Sequence, residues 1–206
     1  MIRLSLSSSL ALLALGLAAP AVAAPQKAAP AKASAPKAAA VPGWAVDQGH
    51  SRLGFAAAMN GQSFDGQFRR WAAQIRFDPA HLDQSSVRVV IDTGSAATGD
   101  QSRDEALPTA DWFSIQAFPR ASFTSRSFKS LGQNRYQVDG DLKIRDVSRP
   151  VSFPFQLAIQ GNNARMAGRL SIDRTVFGVG QGQFKGTDTV AAKVDVVIAV
   201  TATKIP

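Results

Sequence analysis

Hydrophobic and polar residues alternate with a period of two through most of the chain after residue 44. In Val151–Ile159 ("VSFPFQLAI") every odd-numbered position is apolar, whereas the even-numbered positions are polar, small or proline. The same alternation runs through Arg135–Ile144, Arg165–Asp173 and Lys193–Lys204. Successive side chains of a strand point to opposite faces, so each segment predicts a β-strand with one dry and one wet face.

Further strands are predicted at Leu53–Met59, Phe64–Phe77, Val87–Asp92 and Ala121–Lys129. The alternation in the second of these changes phase at Arg69-Arg70, which predicts a bulge or bend there. Pro154 lies inside an alternating segment and indicates an edge or a bulge, because proline cannot donate to a sheet. Turn sequences such as Asn60-Gly61 separate the segments.

One segment departs from the strand pattern: "GDQSRDEALPTADWF". Asp100 is a suitable N-cap for a short helix with acidic residues in its first turn, and Pro108 would end that helix. About eight antiparallel strands and one short helix are typical of a closed barrel or a sandwich. Each strand has one polar face and one apolar face, and the apolar faces need a single shared interior. We therefore predict an all-β antiparallel barrel.

The N-terminal residues 1–23 have the features of a secretory signal peptide. Arg3 precedes a short apolar run from Leu10 to Ala18, and Ala21-Val22-Ala23 fits the A-x-A cleavage pattern. A membrane span needs about 20 apolar residues, so an uncleaved anchor is the weaker alternative. The sequence therefore predicts an exported protein.

Residues 24–43 are rich in Ala, Pro and Lys and predict an extended linker ahead of a domain at residues 44–206. Lys27, Lys32 and Lys37 could make transient contact with an anionic membrane surface, although a solvated linker is the simpler interpretation. These lysines and Arg3 carry about half of the formal net charge of +8. The cations of the domain are dispersed, which argues against nucleic acid as a partner. With no cysteine, the domain depends on its hydrophobic core alone.

The sequence contains little that indicates catalysis or metal binding. The two histidines, His50 and His81, are far apart and have no metal-binding spacing, so no metal site or cofactor is expected. Asp47, His50 and Ser51 are too close in sequence for a hydrolase triad, whose members converge from separate elements. The glycines of Gly178–Gly186 lack the ending of a phosphate-binding loop and indicate a flexible connection between strands. We therefore expect a protein that is not an enzyme.

Aromatic residues are concentrated in the domain, which holds all 12 Phe, the 3 Trp and the single Tyr. An eight-stranded barrel is either just filled by its side chains or wide enough to hold one ligand. The residues alone leave open whether this interior is packed or hollow.

Three segments, in this order, resemble the YceI-like family of bacterial polyisoprenoid-binding proteins. They are "DQGHSRLGF", "RDEALPTADWF" and "LKIRDVSRPV", and the resemblance extends from about Trp44 to Lys204. It implies a lipocalin-like barrel in the periplasm that holds a long isoprenoid chain in its pore. The chain departs from many relatives at Met59-Asn60 and at Arg145-Asp146, where a histidine is frequent.

The resemblance implies a non-enzymatic carrier of an isoprenoid lipid, such as a quinone or a polyprenyl phosphate, bound as a ligand and not as a cofactor. His50 and Arg103 are the candidate head-group contacts. The candidate apolar lining consists of Phe55, Phe68, Phe123, Phe153, Phe155, Leu157, Leu170 and Phe177. The alternative is an envelope scaffold with a packed barrel that binds a membrane protein such as a cytochrome. The lipid, its use in transport or storage, and the oligomeric state, a homodimer included, stay open.

The predicted signal peptide can be tested by N-terminal sequencing of exported protein. We expect the mature chain to begin at or near Ala24, because cleavage follows the A-x-A segment that ends at Ala23. Full-length protein retained in the cytoplasm would contradict export.

Overall fold

Residues 41–206, the part of the chain that the computed structural model describes, contain eleven β-strands and one short α-helix. The strands β1 to β11 are Gly43–Val46, Arg52–Met59, Gln62–Phe68, Trp71–Arg76, Ser86–Asp92, Ala96–Ala97, Arg120–Gly132, Arg135–Ile144, Val147–Gln160, Asn163–Asp173 and Lys193–Lys204. Helix α1 is Gln101–Ala106. The predicted signal peptide and nearly all of the predicted linker lie outside the described residues.

The strands form one antiparallel sheet that closes on itself. Its order is β1-β4-β5-β7-β8-β9-β10-β11, and β11 pairs in turn with β1. Strands β2 and β3 pair with each other and extend the same wall, because β2 also pairs with β11. With β1 and β2 forming one bent strand and β3 and β4 another, the wall is the eight-stranded antiparallel barrel that the sequence predicted.

The predicted bend at Arg69-Arg70 is present, since β3 ends at Phe68 and β4 begins at Trp71. Phe68, at an even position, and Trp71, at an odd position, both pack against the core. The break between them therefore shifts the alternation by one residue and keeps the aromatic side chains directed inward. The buried Ser95 holds the break: its carbonyl accepts from the Arg69 amide at 3.1 Å and its hydroxyl from the Arg70 amide at 3.0 Å.

Pro154 lies where β9 loses one of its neighbours. Strand β9 pairs with β8 over Val147–Gln156 and with β10 over Phe155–Gln160, so Val147–Pro154 pairs with β8 only. The edge that Pro154 indicated is therefore present. A bulge that the alternation did not reveal occurs in β7, where the register shifts between Ser125 and Ser127.

Helix α1 begins as predicted, because the Asp100 carboxylate accepts a hydrogen bond from the Arg103 amide at 3.0 Å. It ends at Ala106, two residues before Pro108. Among residues 41–206, no helix has the length and apolar character required to cross a bilayer.

The barrel includes residues that immediately precede residue 44. Val41 is buried, the Pro42 carbonyl accepts from the Phe77 amide at 3.1 Å, and the Gly43 carbonyl accepts from the Ile205 amide at 2.9 Å. These three residues, assigned to the linker by composition, take part in the barrel.

Gly140 on β8 is required by close packing and offers a test of the wall. A Cβ atom there would lie 2.5 Å from the Thr124 carbonyl oxygen and 2.6 Å from the Phe123 ring. We expect Gly140→Ala to lower the free energy of unfolding by about 1–3 kcal/mol, the usual cost of overpacking. The matched control is Gly186→Ala, whose Cβ would meet no atom closer than 3.7 Å. Urea denaturation that gives equal stabilities for the two variants would show that Phe123 is not fixed as described.

Candidate functional site

The barrel interior contains a cavity of about 190 Å³. Every residue that lines it is hydrophobic, and the lining comes from all strands of the closed ring. The inward phase of each alternating segment produces this surface, as with Phe153, Phe155 and Leu157 on β9. We call this space the barrel cavity.

An aromatic cluster packs near the β7–β8 hairpin at one end of the barrel. The Phe77 ring lies 5.2 Å from that of Phe128 and 5.5 Å from that of Tyr136, both edge to face. Phe155 stacks on Tyr136 at 5.5 Å. The Trp44 indole donates to the Phe77 carbonyl at 2.9 Å in a buried hydrogen bond, which fixes β1 against this cluster. Directional aromatic contacts therefore pack this end of the barrel.

A second cavity of about 170 Å³ lies beside α1, and we call it the vestibule. Its lining residues are Phe55, Ala57, Met59, Phe64, Phe68, Thr98, Ser102, Arg103, Ala106, Leu107, Trp112, Phe113, Ile144, Ile172, Arg174, Val179, Phe184, Val190, Val194 and Val196. Phe68, Ile144 and Val196 also line the barrel cavity, so these three side chains form the boundary between the two spaces.

Arg103 brings a positive charge to the vestibule from α1. Its Nε lies 3.3 Å from the Thr98 hydroxyl, its guanidinium carbon lies 4.5 Å above the Phe64 ring, and its Nη1 lies 3.7 Å from the Asp100 carboxylate. The ion pair of Arg103 is therefore formed with Asp100.

Asp104 instead fastens α1 to the strand before it. Its carboxylate accepts from the Thr98 amide at 2.6 Å and from the Thr98 hydroxyl at 2.7 Å. These hydrogen bonds, followed by one from the Gly99 amide, lower the pKa of Asp104 below its ordinary value because they favour the ionised form. The vestibule side of α1 is thus anchored at neutral pH.

Arg174 is the most buried charge in the described chain, with 3% of its surface exposed. Its guanidinium donates to the carbonyls of Val179, Gly186, Val190 and Ala191 at 2.8, 2.8, 2.7 and 3.1 Å. Burial lowers the pKa of Arg174, and the Asp173 carboxylate partly opposes this shift. An arginine stays charged in such a setting, so its hydrogen bonds organise the loop between β10 and β11 around a buried cation.

Arg145 ties the loops of this end together from the β8–β9 turn. Its Nη1 lies 3.0 Å from the Ala110 carbonyl and 2.8 Å from each of the carbonyls of Trp112 and Gly178. The residue has a positive φ of 56°, which a tight turn requires. Arg145 therefore connects the loop after α1 with the loop after β10. It does so at a position where many relatives are expected to carry a different residue.

Most of the predicted lining residues converge on the two cavities. The barrel cavity is lined by Phe123, Phe153, Phe155, Leu157 and Leu170, the vestibule by Phe55, and both spaces by Phe68. Phe177 lines neither one. It lies in the loop after β10, is 2% exposed, and packs within the hydrophobic core.

The two predicted head-group residues are not brought together. Arg103 lines the vestibule, whereas His50 lies between β1 and β2 with its side chain 78% exposed and lines neither cavity. His50 Nδ1 is 2.7 Å from the Asp47 carboxylate, and this hydrogen bond lowers the pKa of Asp47. A head-group role for either residue stays a prediction, and the geometry favours Arg103.

Sequence reasoning missed Arg174 and Trp112. The loop after β10 was expected to be a flexible connection, but it contains two short 3-10 turns and the buried Phe177, Val179 and Val190. Arg174 follows a strand end in a sequence with no motif, so its burial depends on carbonyls up to 17 residues away.

The family of this chain follows from comparison with known proteins. The model of the YceI-like domain matches residues 44–202. The chain belongs to the YceI-like family. The crystal structure of BcnA from Burkholderia cenocepacia is 32% identical, with a TM-score of 0.74 over 77% of this chain and 99% of that one.

More distant relatives share the fold. The YCEI protein of Campylobacter jejuni is 23% identical, with a TM-score of 0.61 over 68% of this chain and 85% of its own. A domain from Saccharophagus degradans, described as polyisoprenoid binding and implicated in plant cell wall breakdown, is 12% identical, with a TM-score of 0.59 over 79% and 98% of the two chains. A UPF0312 protein of Pseudomonas syringae pv. syringae is 31% identical over 103 residues, 50% of this chain and 54% of its own. The matches span about half the length of such curated relatives.

Phe155 and Phe177 provide a test of the cavity by matched substitutions. Phe155 borders the barrel cavity, whereas Phe177 is surrounded by protein. We expect Phe177→Ala to cost the ~3–5 kcal/mol typical of a packed phenylalanine, and Phe155→Ala to cost clearly less because it already lacks partners on one side. Denaturant titration without added lipid measures both. Equal losses would contradict an open barrel cavity.

Proposed function

We propose that this protein is a non-enzymatic binding protein that carries an isoprenoid lipid inside its barrel. The observation that carries the proposal is the barrel cavity, which is lined by hydrophobic side chains alone. A cavity of this kind favours an apolar guest, and burial of its chain would contribute about 25 cal/mol per Å² of surface removed from water. The likeness to a domain described as polyisoprenoid binding agrees with it.

The size of the cavities suggests how a long chain would fit. Each is smaller than the ~300–1,000 Å³ of a typical ligand pocket. They meet at Phe68, Ile144 and Val196, so rotation of these side chains would join them into one elongated pore. A linear isoprenoid suits such a pore better than a compact ligand.

The surroundings of His50 and Ser51 favour binding over catalysis. The Ser51 hydroxyl donates to the Thr201 carbonyl at 3.2 Å and accepts from the Thr201 amide at 3.0 Å, so it bridges the wall of the barrel. His50 bonds to Asp47 on the outer surface, away from both cavities. Their arrangement is that of residues that fix a strand.

We place this carrier in the periplasm, on the strength of the N-terminal segment. A chain with the predicted signal peptide and no cysteine would fold there by its core alone. A periplasmic carrier would shield an isoprenoid lipid from water between membranes.

A cavity-filling variant tests the function. Ala73 on β4 lines the barrel cavity, whereas its neighbour Ala72 points to solvent. We expect organic extraction and mass spectrometry of wild-type protein from its native envelope to yield an isoprenoid lipid. Ala73→Phe should reduce the yield at least tenfold because the ring occupies the pore, while Ala72→Phe should retain it.

Circular dichroism and melting temperature establish that both variants are folded. Clean extracts from wild-type protein in repeated preparations would contradict the carrier, as would equal lipid yields from the two folded variants.

A further inference from the structure

Charge is confined to one end of the interior. The barrel cavity has no charged residue in its lining, whereas Arg103 and Arg174 both line the vestibule. The vestibule lining includes no aspartate or glutamate. An amphiphile bound across both cavities would therefore have its tail in the barrel and its polar end beside two guanidinium groups.

The hydrogen bonds of Arg174 all go to neutral carbonyls, and the Asp173 carboxylate offsets its buried charge only in part. A guanidinium has five N–H donors, and four of them are used on backbone carbonyls. Within residues 41–206 no carboxylate lies within ion-pair distance of Arg174; that of Asp173 bonds to the amide and hydroxyl of Thr175. A buried ion without a partner is costly, so an anion in the vestibule would be stabilised there.

Trp112 adds an unpaired donor to the same place. Its ring lies 5.7 Å from the guanidinium carbon of Arg174, and it lines the vestibule. Its Nε1 is buried and has no acceptor among the described residues. Buried indole N–H groups usually find an acceptor, so this exception indicates a missing one.

We propose that the vestibule is the binding site for an anionic phosphate head group, held by Arg174, Trp112 and Arg103. The inference rests on the proposed function, since it assigns the polar end of the lipid whose tail occupies the barrel. A phosphate oxygen is an acceptor that also supplies negative charge. A quinone carbonyl accepts hydrogen bonds but leaves the charge of Arg174 without an anionic partner, and an alcohol does so as well.

The test compares ligands that share an isoprenoid tail. Dissociation constants are measured for geranylgeranyl phosphate, geranylgeraniol, a quinone with a tail of four isoprene units, and inorganic phosphate. For the wild type we expect the phosphate lipid to bind at least tenfold more tightly than either neutral lipid. Inorganic phosphate alone should bind far more weakly, because it lacks the tail that the barrel cavity holds.

Two tryptophan variants separate head-group recognition from general effects. Trp112→Phe keeps a ring but removes the donor, so the preference for phosphate over alcohol should fall about tenfold, the loss expected for a hydrogen bond to a charged acceptor. Trp71→Phe is the matched control, because Trp71 lines the barrel cavity and not the vestibule. It should change the affinity for all three lipids by the same factor.

Each outcome has a definite meaning. Equal binding of the three lipids would overturn the anionic site while leaving lipid carriage intact. Absence of binding by any lipid would overturn the proposed function itself. Inorganic phosphate bound as tightly as geranylgeranyl phosphate would show a free-anion site and would overturn the head-group assignment. A phosphate preference that Trp112→Phe and Trp71→Phe reduce equally would also overturn it.

Discussion

Closure of the sheet at β1 is the constraint on which the structure depends. This four-residue strand pairs with β4 on one side and β11 on the other, and the Trp44 indole bonds across to the Phe77 carbonyl. A closed sheet leaves few unpaired strand edges, so the wall is held by its own hydrogen bonds. The interior does not have to be filled completely to maintain the fold. This is the physical condition for an apolar barrel cavity.

The wall is incomplete where β9 and β10 separate, and arginines compensate there. The first half of β9 has no β10 partner, and the turn Thr175–Phe177 in the loop after β10 contacts β9, with Phe177 buried. Arg174 binds four carbonyls of this loop from within, and Arg145 binds carbonyls of two loops from the β8–β9 turn. Guanidinium groups thus satisfy backbone acceptors that strand pairing would satisfy elsewhere.

The arginines that bind the loop carbonyls also make the two ends of the interior chemically different. The cations that organise the loops lie at one end, and the aromatic cluster of Phe77, Phe128, Tyr136 and Phe155 lies at the other. Asp104 anchors α1 beside the charged end through Thr98. The positive charge of the vestibule therefore comes from the same residues that form its walls.

The sequence by itself determined the barrel wall. Strand alternation, the phase change at Arg69-Arg70, the Asp100 cap and the edge at Pro154 are local signals, and each depends on backbone geometry within a few residues. The inward side of each strand followed from the same alternation, which is why most predicted lining residues do face a cavity. His50 illustrates the limit: its position before a strand was evident, but its outward direction was not.

Only the tertiary structure decided what the interior contains. Whether inward side chains fill a barrel depends on distances across it, which no local pattern encodes. Phe177 was predicted to line the pore and is packed instead, because it lies in a turn of the loop after β10 that contacts β9. Arg174 had no motif at all, and its burial arises from carbonyls that the chain supplies 5 to 17 residues later. The wall is a property of short-range periodicity, whereas the cavity and its charge are properties of contacts distant in sequence.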